Sequence, residues 1–215
     1  MIKLSGAEKI VTAFVLFIAL MITFRVGYAN NTRYTFLLWN LFLAWIPFQL
    51  SLTIAGLRRH KRWYRYLLLA GWLLFFPNSL YIITDLIHLH QSAGDMPVWY
   101  DAILLFTSSV AGLLMAFVSL FQVELFLKRY LRPQHVTRLV AGALFLGSFG
   151  VYVGRFLRWN SWDVFVNPLM LFTQLAHPFV QPLQHVRTWG VTLLLTVLFN
   201  LLYFSVKKLQ ADNYA

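Results

Sequence analysis

Residues 101–127 read DAILLFTSSVAGLLMAFVSLFQVELFL, with Asp101 at the first position and Glu124 near the last as the only charged side chains. A helix needs about 20 mostly apolar residues to cross the hydrocarbon of a bilayer, so this stretch is expected to span one. Five further apolar runs surround it: Ala7 to Phe24, Tyr34 to Leu57, Tyr66 to Leu89, Val136 to Leu157, and Val186 to Val206. Together the six fill most of the 215 residues. The expected fold is an all-α membrane protein, a bundle of about six transmembrane helices in one polytopic domain covering residues 1–215.

Composition agrees with that pattern. The chain is 60% hydrophobic and 12% charged, against roughly a quarter charged for a soluble domain. There is no cysteine, which excludes a disulfide framework and a thiolate metal site. A formal charge of +11 raises the question of nucleic acid. The placement of the basic residues argues against that partner and for the lipid bilayer, because they cluster at the ends of apolar runs.

Their distribution also orients the chain. Thirteen of the 18 Lys and Arg residues fall on the side of the amino terminus: Lys3 and Lys9, the cluster from Arg58 to Arg65, the group from Lys128 to Arg138, and Lys207 with Lys208. Arg25, Arg33, Arg155, Arg158 and Arg187 fall on the other. The positive-inside rule then sets both termini in the cytoplasm. The first run ends before Gly27-Tyr28-Ala29, a small-x-small pattern like a signal-peptidase site. Arg25 interposed before it, and the length of the run, favour an uncleaved helix.

The long connection from Arg158 to His185 contains its own apolar stretch, Leu169 to Ala176. Asn167 can cap a helix there, with Pro168 in the first turn and a stop near Pro178. It is too short to span and reads as an interfacial or re-entrant helix on the outer face.

Candidate chemistry gathers on that same face. In the third run, Pro77 falls near mid-depth and is expected to kink the helix. Asn78, Tyr81, Asp85 and His88 follow it at i, i+3, i+7 and i+10, which puts them on one face of a regular α-helix. The stripe can pack against a neighbour, with an arginine neutralising the carboxylate, or it can serve function. Asp85 and His88, one turn apart, suit an acid/base couple or two ligands of a metal. In the fifth run Gly147, Gly150, Gly154 and Arg158 share a stripe that lets another helix approach closely. It ends in Arg155 and Arg158, which could clamp a carboxylate or a phosphate. Asp163 could fold back on the arginine pair or cap the short segment after it. In the second run, Asn40, Ala44, Pro47 and Ser51 share a face, and with the third run it could frame a cavity. Glu124 is expected to pair with Lys128 at i+4. No P-loop, nucleophile elbow, dinucleotide fingerprint or HExxH motif occurs.

Two of these stretches also carry a family resemblance. Phe76-Pro77-Asn78 through Thr84-Asp85-Leu86-Ile87-His88-Leu89, and Gly154-Arg155-Phe156 through Trp159-Asn160-Ser161-Trp162-Asp163, resemble the signature segments of the bacterial family catalogued as domain of unknown function 1361. The resemblance covers most of the chain. It implies a bacterial multi-span membrane protein and assigns no reaction and no cofactor; with both termini cytoplasmic, the expected location is the inner membrane.

Three function classes remain at this level. The first is an enzyme acting on a lipid or lipid-linked substrate at the outer face, with Asp85, His88 and Asp163 as catalytic candidates and Asn78, Tyr81, Arg155, Arg158 and Asn160 as substrate-binding ones. The second is a small-solute transporter or its membrane-embedded binding subunit, with Asn78, Tyr81 and Asp85 lining a cavity. The third is an assembly partner that docks a helix on Gly147, Gly150 and Gly154.

Overall fold

The computed structural model describes residues 4–57, 62–91 and 95–212. Lys3, Arg58, Arg59, His60 and Lys61 of the basic clusters lie outside the described residues. The described chain is helical, and no strand occurs in it. The helices are α1 (Leu4–Ala29), α2 (Phe36–Gly56), α3 (Arg62–Tyr81), α4 (Val98–Leu127), α5 (Pro133–Tyr152), α6 (Asp163–Val166), α7 (Pro168–Val180) and α8 (Val186–Asp212). Among the described residues six helical segments are long and apolar enough to cross a membrane: Gly6–Ala29, Phe36–Gly56, Trp63–His90, Val98–Leu127, Pro133–Leu157 and Pro182–Gln210. The chain is therefore an all-α, multi-pass membrane protein. Leu16, Leu20 and Leu194 are 65%, 68% and 74% exposed, as suits side chains that face lipid rather than water.

The chain divides into two compact units, Met1–Phe126 and Leu127–Ala215. In the first, α2 packs along α3. Ile18, Ile22, Leu37, Leu41, Phe48, Ile82, Leu104 and Met115 fill the core. Trp72 Nε1 donates to Ser119 Oγ at 2.9 Å and fastens α3 to α4. Glu124 is fully buried in α4.

The third span changes its winding. α3 continues past Pro77 to Tyr81 and then becomes a 3-10 helix over Ile82–Gln91. The change falls on Ile82-Ile83-Thr84, where β-branching lowers α-helix propensity. Thr84 Oγ1 donates back to Tyr81 O at 2.6 Å, three residues earlier, which matches the tighter turn. Gly112 of α4 lets the two helices approach closely at this point. A Cβ on it would lie 2.8 Å from Ser79 O and 3.1 Å from Ile82 Cβ.

In the second unit α5 packs on α8. α5 passes into a single π turn, Val153–Leu157, before the chain leaves the helix at Arg158. The connection holds α6, α7 and a 3-10 turn, Pro182–His185. α7 begins with Pro168 after Asn167, as expected, but the Asn167 side chain makes no capping bond and the helix runs through Pro178 to Val180. At about 1.5 Å per residue its 13 residues are too short to span.

Candidate functional site

The buried face of α1 runs Ala7, Val11, Ile18, Ile22 and then Arg25, an arginine at the position where the period calls for an apolar residue. Arg25 is 1% exposed. Such a charge is tolerated in an apolar span only when paired. Its partner is Asp101 in the first turn of α4, also 1% exposed. Arg25 Nε donates to Asp101 Oδ1 at 2.7 Å and Nη2 to Oδ2 at 3.2 Å, a two-pronged geometry matched to a carboxylate. Nη1 donates to Asn31 Oδ1 at 2.7 Å, and Asn31 Nδ2 donates to Asp95 Oδ2 at 3.0 Å. The guanidinium also lies 4.5 Å from the centre of the Tyr34 ring.

From Tyr34 the network reaches the 3-10 segment. The Tyr34 hydroxyl donates to His88 O at 3.2 Å, and that of Tyr100 donates to Met21 O at 2.9 Å. These bonds gather one end of all four spans of this unit. Asp85 stands at the same end. Its side chain is fully buried, and Asn40 Nδ2 of α2 donates to its Oδ2 at 2.8 Å. The backbone that carries it is pinned from both sides: Ser79 Oγ donates to Ala44 O of α2 at 2.8 Å, and Ser109 Oγ of α4 donates to Ile82 O at 3.3 Å.

The 3-10 winding redistributes the polar stripe. At three residues per turn, Asp85 and His88 eclipse each other one turn apart. Asn78 and Tyr81, on the α-helical part, are half-buried, and four 3-10 steps turn the chain through about 480° where four α-helical steps turn it about 400°, so Asp85 is rotated about 80° further from Tyr81 than in a continuous α-helix. The stripe is thereby broadened rather than kept to one line. Asn78 Nδ2 donates locally to Phe75 O at 3.0 Å. The His88 ring, half-buried, packs on Phe36 with centroids 5.0 Å apart. Among the described residues no three His, Cys, Asp or Glu side chains come together as a metal site, so Asp85 and His88 gain no third protein ligand there.

The face of α2 that carries Asn40, Ala44, Pro47 and Ser51 is turned into the interior of the unit. Ala44 and Ser51 are fully buried, and Ser51 Oγ hydrogen-bonds to Gln122 Oε1 at 3.1 Å. The remaining candidates belong to the second unit. Gly147 is buried, and Gly150 and Gly154 are half-buried. The π turn retards the register after Val153, so Arg158 leaves the glycine stripe that a continuous α-helix would have kept. Arg155 is half-buried and Arg158 exposed. Asp163 Oδ2 accepts from the backbone N–H of Asn160 at 2.6 Å, fixing the turn before α6. Asp163 is thus the first residue of α6 and does not cap it: Trp162 holds the N-cap position and no side chain caps the helix.

Arg25 and Asn31 had no functional reading in the sequence, where Arg25 served only as a topology and processing signal. The available signal was its place on the buried face of an apolar helix, which demands a carboxylate near the same depth. Asp101 met that condition.

A model of the family described as Protein of unknown function (DUF1361) matches residues 39–202. No curated protein and no solved structure matches the chain.

Proposed function

The chain belongs to this family of unknown function, and on that premise we propose that it is an enzyme acting on a lipid or lipid-linked substrate at the outer face of the bacterial inner membrane, with both termini cytoplasmic. Asp85 is the proton-transfer group, and His88, one 3-10 turn further out, is its partner. The observation that carries this reading is the burial of Asp85: a fully enclosed carboxylate in an apolar span, oriented through one oxygen by Asn40. An ionisable side chain costs free energy at such a site, which makes it a functional candidate by default. Its placement on a rigidly pinned 3-10 segment suits a group that must be presented at a fixed angle. A carboxylate held this way can take a proton from a substrate hydroxyl or water while an imidazole delivers one to the leaving group, the division of labour of hydrolysis or group transfer.

Asp85→Asn keeps the shape and the contact with Asn40 but cannot act as a base. Turnover of the lipid or lipid-linked substrate is expected to fall about 10²–10⁴-fold, with a changed cellular lipid or envelope-glycan profile by mass spectrometry. A profile identical to wild type, in cells whose variant protein is folded and abundant, would overturn the assignment.

A second reading, transport, draws support from the interrupted helices: Pro47 lies inside α2, Pro77 inside α3, and the outer part of the third span is 3-10. Asn78 and Tyr81 would then contact the solute. Uptake by reconstituted vesicles, with the lipid profile unaffected by Asp85→Asn, is the result that selects this reading.

A further inference from the structure

In the second unit, the end of α5 and the beginning of α8 lie together. Phe149 stacks on Trp189 with centroids 6.3 Å apart, and the Arg187 guanidinium lies 4.4 Å from the centre of the Phe156 ring. Phe156 stands between Arg155 and Arg158 in the chain, so three guanidiniums share this end. Arg158 and Arg187 are exposed. Of the seven acidic residues in the sequence, only Asp163 and Asp212 follow Glu124. Asp212 ends α8 at its far terminus, and Asp163 is engaged with the Asn160 backbone. Two exposed guanidiniums, those of Arg158 and Arg187, therefore stand in a unit whose nearest carboxylate in the chain, Asp163, is held by the turn before α6.

The backbone at this place is unusual. Arg158 has φ 60 and ψ 31, the left-handed conformation, directly after the π turn, and its N–H bonds to Val153 O. Among the described residues only Asn30 shares a positive φ without being glycine. Glycine adopts this conformation without steric cost, so an arginine here is held in spite of its backbone preference. Strain and π turns both concentrate where a side chain is put to use.

An apolar surface adjoins the charges. α7 is tied to both neighbouring helix ends: Trp159 Nε1 donates to Gln174 Oε1 at 2.7 Å, and Trp189 Nε1 donates to Pro178 O at 3.1 Å. Beside these ties, Leu169, Phe172, Val180 and Leu183 remain largely exposed. The combination of amphipathic segment, indoles and arginines is that of a helix seated at a membrane boundary.

We propose that this end of the second unit is a binding site for an anionic phospholipid. Arg158 and Arg187 hold the headgroup phosphate, whose oxygens match the planar fork of a guanidinium. The acyl chains lie along the exposed apolar side of α7. The site stands on the second unit alone and requires no chemistry at Asp85.

Native mass spectrometry of the full chain, released from nanodiscs of equal parts phosphatidylglycerol and phosphatidylcholine, tests this. Wild type should retain phosphatidylglycerol in preference to phosphatidylcholine. Arg158→Gly removes the charge while suiting the left-handed backbone, so the variant should fold. It should lose roughly fivefold in that preference, and Arg158→Gly with Arg187→Ala a further similar factor. Inorganic phosphate at millimolar concentration should not displace the lipid. Equal retention of the two lipids by wild type, unchanged preference in Arg158→Gly, or displacement by free phosphate each overturns the proposal. If the double variant fails to fold, Arg158→Gly alone decides.

Discussion

Arg25→Ala should cost about 3–5 kcal/mol of stability, the usual consequence of removing one partner from a buried ion pair. Asp101 would lose a two-pronged partner at 2.7 and 3.2 Å while remaining enclosed at 1% exposure. Asn31 would lose the guanidinium that links it to α4, and Tyr34 the cation over its ring. Because the pair joins α1 to α4, the damage should appear as loosening of α1, seen as earlier unfolding and faster proteolysis after Ala29. Asp101→Ala should behave alike. The double replacement Arg25→Met with Asp101→Leu should recover most of the loss, since two buried charges then give way to packed apolar groups. The measurement is a double-mutant cycle on unfolding midpoints in detergent. Additive single effects with no recovery would show that the two side chains do not act as a pair.

Gly112 makes the second large effect. An added Cβ would meet Ser79 O at 2.8 Å, and that oxygen belongs to the α3 backbone, which cannot swing aside like the end of a side chain. Gly112→Ala is expected to destabilise by about 1–3 kcal/mol, and Gly112→Val by more. The displaced stretch includes Ile82, where the 3-10 segment begins, and Ser79 and Ser109 bind that stretch to α2 and α4. Movement there carries Asp85 away from Asn40. Function should therefore fall further than stability alone explains. Gly142→Ala is the control: nothing lies within 4 Å of a Cβ built there, and in a helix interior the change should be neutral or stabilising by up to about 1 kcal/mol. Equal behaviour of the two alanine variants would refute the close contact between α3 and α4.

The spans were legible because a bilayer imposes length and polarity on each helix separately. All six apolar runs appear as helices, with ends within five residues of those expected. Asp85 also stood out locally, as a carboxylate in an apolar run. The alignment of Asn78, Tyr81, Asp85 and His88 was not legible. It assumed a constant 3.6-residue period, and the change to 3-10 winding at Ile82 rotates the residues beyond it. Arg158 shows the same limit, since one π turn moved it off the glycine stripe.

Pairing across helices was harder still. Arg25 and Asp101 are 76 residues apart, and Asn40 and Asp85 are 45 apart. Hydrophobic length and the placement of Lys and Arg act along one segment at a time, so the sequence by itself determined the number of crossings and where each begins and ends. Which carboxylate meets which guanidinium, and which amide steadies Asp85, was decided by the tertiary structure. A charge in an apolar setting is stable only beside a partner, and partners meet only when separate helices pack at matching depth.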